Sequence, residues 1–302
     1  MFSKPRNRAI FALIIANVIW GAASPIFKFS LENIPPFTLA FIRFFFASLL
    51  ILPLARNCLC VAKADWIKLI LASIFGVSIN ISFFFMGLKL SSAITMPIIA
   101  SAGPMFLYLF ALLTLHEKAS FKVLTGLAIS LTGVILIIFL PIFQKGIDAT
   151  IIGNLFFVIS VFGSIAYTLI AKGLLEKYRA LTITFWSFVV GTVSFFPLFL
   201  YEYFTSNPFT TLDYRGATGI IFGIFLSSTL AYLLYIWGIK RIPAQEVGVF
   251  FYVDPIAAVI IAVPLLGEAI TPLYIFGSLL VFLGIFIAEG RLHYHPLHKL
   301  SN

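Results

Sequence analysis

Charge is what this sequence has least of. Asp, Glu, Lys and Arg make up 10% of its 302 residues, where a soluble globular domain carries about 25%. With a mean hydropathy of +1.10, that excludes a water-soluble globule. Cysteine is nearly absent too: Cys58 and Cys60 stand alone in a basic loop. Two thiols one residue apart are a weak metal site and no disulfide framework, so they read as reduced and incidental. Of the four histidines, His116 falls at a loop and His293, His295 and His298 in a polar tail. No HExxH, no GxSxG, no pair of membrane-depth aspartates and no histidine within an apolar run is present, which argues against an intramembrane enzyme. No P-loop occurs, so this chain cannot itself drive anything with ATP. The sequence calls for no cofactor and no metal. Long polar connections are missing as well, the longest being 56–65 and 204–214, which leaves no room for a soluble catalytic domain.

What is present is apolar sequence in runs. Ten spans are expected, at 9–29, 36–55, 66–88, 93–115, 121–141, 151–171, 181–203, 215–238, 245–266 and 271–289, each near the roughly 20 residues that cross a bilayer core. The fold class is therefore an all-α polytopic membrane protein. The first run is too long for a signal-peptide core and reads as a retained helix. The net charge of +9 sits in short loops and forms no continuous basic patch, so the expected surroundings are a lipid bilayer and no nucleic acid. Fifteen Lys and Arg collect on one side of the spans. Lys28, Lys89, Lys145 and Arg215 lie on the other and Arg43 within a span, which accounts for all 20. Positive charge stays inside, so both termini are expected to be cytoplasmic.

The chain also repeats itself. A shift of 151 positions lays Gly87 on Gly238, Lys89 on Lys240, Pro104 on Pro255, Glu117 on Glu268, Gly126 on Gly277 and Gly133 on Gly284. A shift of 144 lays Lys28 on Lys172, Thr38 on Thr182, Phe41 on Phe185 and Pro53 on Pro197. Matches in Gly, Pro, Lys and Glu point to an internal duplication, with halves at 1–145 and 146–302. Five spans per half is an odd number, so the halves must insert with opposite topology. Inverted repeats with interrupted helices are the architecture of alternating-access carriers.

Within the spans a few residues are out of place for lipid. Glu246, Phe250 and Asp254 are four apart and share one face of the ninth. Pro97, Ser101, Pro104 and Tyr108 share a face of the fourth. Pro104 and Pro255 are expected to break their helices and free carbonyls. Intramembrane acids mostly face a cavity or a partner, so Asp254 either lines a substrate cavity or pairs with a neighbouring helix. Glu246 and Asp254 are the candidates for proton uptake, and Arg43 for an ion pair or a substrate carboxylate. Trp20 and Ser24 in the first span, Asn80 in the third, Tyr167 in the sixth and Tyr232 in the eighth complete the expected substrate-binding set with Ser101, Tyr108, Phe250 and Asp254. The glycine pairs seven apart give small-residue stripes for close helix packing, within one chain or between two copies of a homodimer.

Taken together, NVIWGAASPIFK in the first span, Arg43 in the second, and the two blocks Pro104…LTLHE…Gly126…Gly133 and Pro255…LLGE…Gly277…Gly284 resemble the EamA family of the drug/metabolite transporter superfamily. The second block carries LGE (Leu266-Gly267-Glu268) and the first departs with LHE. The resemblance implies ten-helix permeases of two inverted repeats that move small metabolites, amino acids or related compounds, mostly outward. It also implies a bacterial inner membrane as the location, and a structural role for Arg43. Uptake of a charged or nucleoside-like metabolite is the rival reading. A channel would need polar or charged rings that this sequence does not supply, and a non-transport membrane protein is the remaining alternative.

Overall fold

The computed structural model describes residues 5–103, 105–106, 121–145, 148–239, 241, 250 and 252–289. These fold into helices, with no strand among them. They are α1 (Pro5–Ser30), α2 (Pro36–Ala55), α3 (Lys63–Leu90), α4 (Thr95–Ser101), α5 (Phe121–Lys145), α6 (Ala149–Leu175), α7 (Ala180–Ser206), α8 (Tyr214–Gly238), α9 (Val253–Leu266) and α10 (Pro272–Glu289). Six of them, α1, α2, α3, α6, α7 and α8, are long and apolar enough to cross a membrane, and shorter apolar helices lie in α5, α9 and α10. Pro104, Tyr108, Glu117 and Glu246 lie outside the described residues.

Helix ends follow local chemistry. Asp148 and Asp213 cap α6 and α8, accepting from Thr150 N at 3.0 Å and Arg215 N at 2.8 Å, which satisfies N–H groups that no helix turn can. At α2, Pro36 takes the first helical position, where a missing N–H does no harm. The next two donors, Phe37 N and Thr38 N, reach across to Glu202 at the end of α7. Gly267, at φ 64°, closes α9 in the left-handed conformation that glycine adopts without steric penalty.

Large apolar side chains point two ways. Phe27, Phe44, Phe85, Phe157, Phe188 and Phe195 are fully buried, while Phe46, Val193, Ile256, Ile260, Leu279 and Phe286 stand exposed around the outside. In water such a belt would aggregate; in lipid it is solvated. Helix association there rests on close packing rather than on apolar burial, and the packing is close. A Cβ added to Gly133 would sit 2.6 Å from Gly277 O, and one on Gly126 would collide with Gly284 O. The glycine stripes of α5 and α10 thus pack on each other within one chain, antiparallel. Similar reciprocity holds elsewhere. Gly238 of α8 lies against Ala9 O and Leu13 of α1, and Gly87 of α3 against Gly153 O and Phe157 of α6. Thr38 Oγ1 donates to Glu202 at 2.9 Å at one end of the α2/α7 pair, and Thr182 Oγ1 donates to Cys58 O at 2.6 Å at the other.

Both α3 and α8 are interrupted by wider π turns, at Ile74–Ile79 and Phe222–Leu230. At one end of the bundle Glu268, in the turn after α9, gathers four donors. Lys28 Nζ lies at 2.8 Å, Ser92 Oγ at 2.5 Å, Ala93 N at 2.7 Å and Ile94 N at 3.2 Å, and Lys28 also donates to Ser91 O at 2.7 Å. Burial alone would push the Glu268 carboxyl up. The Lys28 and Ser92 bonds, the Ala93 N–H and the Lys28 charge together outweigh that and hold it below its ordinary value. At the opposite end Asp65 accepts from Lys177 and from Tyr178 Oη at 2.8 Å.

Candidate functional site

Between these two ends lies a cavity of about 370 Å³, within the 300–1,000 Å³ usual for small-molecule sites. Among the described residues its walls come from α1, α2, α3, α4, α6, α7, α8 and α9. Six residues singled out in the sequence meet there: Trp20, Arg43, Asn80, Tyr167, Tyr232 and Asp254.

Each is held by its neighbours. Trp20 Nε1 donates to Ser227 O at 3.2 Å, a carbonyl within the α8 π turn. Its ring stands 5.3 Å from Tyr232 and 5.1 Å from Tyr235, and Tyr232 meets Phe188 edge-on at 5.3 Å. Asn80 Nδ2 bridges to Ser160 O at 2.8 Å and to Ser160 Oγ at 3.1 Å, fixing α3 to α6. Gly21 and Ala257 let α1 and α9 approach until a Cβ on Gly21 would strike the Asp254 carbonyl. That close approach sets where the Asp254 side chain starts.

The two ionisable groups differ in their surroundings. Arg43 is 5% exposed. Its Nε donates to Ser228 Oγ at 2.5 Å and its Nη2 to Ser227 Oγ at 3.2 Å. Its guanidinium carbon lies 4.9 Å from the ring centres of both Phe27 and Phe44. Asp254 has no such company: its Oδ1 is buried with no hydrogen-bond partner. No ion pair among the described residues joins Arg43 to Asp254. The guanidinium fork and its two ring contacts are geometric requirements a lysine cannot meet. Arg43→Lys keeps the charge and its desolvation yet loses these bonds, so it is expected to destabilise the protein by about 2 kcal/mol. A detergent melt unchanged from wild type would show that the fork carries no weight.

Other expected residues stand elsewhere. Ser24 and Ser101 are buried off the cavity wall, Ser101 Oγ donating back to Pro97 O at 2.8 Å. Phe250 packs on Ala9 and Leu13 instead. The four-residue spacing to Asp254 assumes continuous α-helix, whereas Phe250 and Tyr252 lie in tighter 3₁₀ turns and α9 begins at Val253. Pro255 is therefore in the first turn of α9 rather than a break within it, where its missing N–H leaves no bond unmade. Asp254 sits beside it in the same turn, where the helix dipole favours a carboxylate. Thr184, Ser187 and Tyr235 line the cavity although the sequence reading passed over them. Tyr235 follows Tyr232 by three, a helical spacing that could have exposed it.

Comparison with known proteins agrees with this architecture. The model of the EamA-like transporter family matches residues 7–139 and again 151–289. A protein of Archaeoglobus fulgidus named as an uncharacterized transporter is 25% identical over 284 residues, covering 93% of this chain and 97% of its own. Bacillus subtilis YetK, also named an uncharacterized transporter, is 28% identical over 291 residues, covering 94% of this chain and 87% of its own. A solved crystal structure with 17% identity superposes at a TM-score of 0.63 over 96% of this chain and 100% of that one, a likeness of fold alone. Its relatives are transporters by name rather than enzymes, and its apolar helices are those of a multi-pass integral membrane protein. This chain belongs to the EamA-like transporter family.

Proposed function

We propose that the protein is a secondary carrier that moves small metabolites, amino acids or related compounds, outward across the bacterial inner membrane by alternating access. The observation that carries this reading is the cavity itself. It is walled by helices on both sides of residue 145 and holds a carboxylate, an indole and several hydroxyls. In this reading ten spans form two inverted five-helix repeats, residues 1–145 and 146–302, with both termini cytoplasmic. Support comes from the reciprocal contacts. The pair Gly126/Gly284 becomes Gly277/Gly133 when the halves are exchanged, and Ala9/Gly238 becomes Gly153/Gly87. Substrate held between such halves is released to whichever side their rocking opens.

The test is flux. The purified protein, reconstituted in liposomes, is loaded with a pool of labelled amino acids and related metabolites and followed in both directions, with and without a pH gradient. Selective flux is expected, reduced at least tenfold by Asp254→Asn while the melting profile is kept. Folded protein that moves no solute in either direction would overturn the carrier reading. Faster inward than outward movement at equal gradients would overturn export.

A further inference from the structure

We propose that the cavity recognises an ammonium group, and that its ligands are monovalent organic amines with a flat apolar body, whether or not they also carry a carboxylate. This deepens the carrier reading above and rests on it. Three observations converge. Asp254 is a half-buried carboxylate on the cavity wall whose Oδ1 is buried and has no partner, and no lysine or arginine among the described residues forms an ion pair with it. A carboxylate with a buried oxygen that no donor reaches is a place for a cation.

Next, aromatic rings line the same cavity. Trp20, Tyr232 and Tyr235 form a cluster with centroids 5.1 and 5.3 Å from the indole. The indole itself is anchored through Nε1 on Ser227 O, so its face is held rather than free to turn. Ring faces attract alkylammonium groups, and tryptophan does so best. The same faces repel a carboxylate.

Third, the residue that would have read a carboxylate is already partly committed. Arg43 gives Nε and Nη2 to Ser228 and Ser227 and lies against Phe27 and Phe44. An anionic substrate would have to share Arg43 with those contacts, while an ammonium meets in Asp254 Oδ1 an oxygen that has none. The Arg43 charge holds the α2/α8 contact together, and the ligand's charge is read at α9.

Three probes share one ring and differ only in charge: 2-phenylethylamine (amine only), phenylalanine (both groups) and 3-phenylpropionate (carboxylate only). Binding is measured by isothermal calorimetry on purified full-length protein in detergent and flux in liposomes. The amine and phenylalanine are expected to bind, and 3-phenylpropionate at least tenfold more weakly than the amine. Asp254→Asn should weaken the amine at least tenfold, Asp254→Glu should restore most of that, and Trp20→Ala should weaken it about tenfold. Tight binding of 3-phenylpropionate, or amine binding unchanged in Asp254→Asn, overturns the proposal. So does flux of other solutes while none of the three probes binds, and in that case the carrier reading stands. Absence of flux for every solute from folded protein removes the carrier reading as well.

Discussion

Gly284→Leu is expected to leave almost no folded protein. A Cβ at that position collides with Gly126 O and Ser130 N of α5 and lies 2.7 Å from Ser130 Cβ. Two of these three atoms are backbone, so no side-chain rotation relieves the clash and only separating α5 from α10 does. Overpacking a well-fitted core costs about 1–3 kcal/mol when neighbours can shift, and a backbone obstacle should exceed that. Membrane helices hold together by such close packing rather than by exclusion from water, so separating the pair forfeits most of what binds it. Gly173→Leu is the control, since a Cβ there meets nothing within 4 Å. Size-exclusion profiles and detergent melts should show the Gly284 variant aggregated and the Gly173 variant unchanged. Two equally stable variants would mean that the glycine seam is not a structural requirement.

Glu268→Gln should flatten the pH dependence of stability. The Glu268 carboxyl lies below its ordinary value of 4.5, burial being outweighed by Lys28, Ser92 and the Ala93 N–H. A lowered carboxyl stabilises the folded state above its unfolded pKa, and that contribution disappears as pH falls through the lowered value. Wild-type protein should therefore lose melting temperature from just above pH 4.5 downward. Glutamine keeps an acceptor but no charge, so the variant should melt lower at pH 7 and converge with wild type in acid. A charge-assisted bond lost to a neutral one is worth roughly 1–2 kcal/mol here, at the low end because Lys28 is 28% exposed and screened by solvent. Parallel melting curves from pH 7 to pH 3 would assign the turn's stability to its shape rather than its charge. The LGE triplet then has a physical reading: Leu266 ends α9, Gly267 turns the chain, and Glu268 is delivered to the donors around Ser92.

Much of this was legible without coordinates, for definable reasons. Long apolar runs mark long helices because each needs about 20 residues to cross lipid, and α1, α2, α6 and α7 fall close to where the runs place them. The glycine pairings showed in the sequence as a constant offset because close approach tolerates no side chain at those positions. Asp254, Arg43, Asn80 and Trp20 stood out because lipid gives such groups no partner. Hydroxyls gave no such direction. Ser and Thr bond back to a carbonyl one turn earlier, as Ser101 does, so nothing in the sequence separates Ser101 from Ser187, yet only Ser187 lines the cavity. Phe250 was misplaced by applying α-helical spacing across a 3₁₀ segment. The π turns were invisible, since they alter hydrogen bonding without altering hydropathy.

Those π turns also record something about time. A π turn is an α-helix that has accommodated an extra residue. Moved by the 151 positions that superpose the glycines, residues 74–79 fall on 225–230, inside Phe222–Leu230. If the two halves descend from one five-helix ancestor, the simplest history puts a single insertion in that ancestor, before the gene doubled. Both copies have since diverged around it, one keeping Gly76 and Val77 at the cavity and the other Ser227. The widened turn is then older than the two-fold molecule it serves.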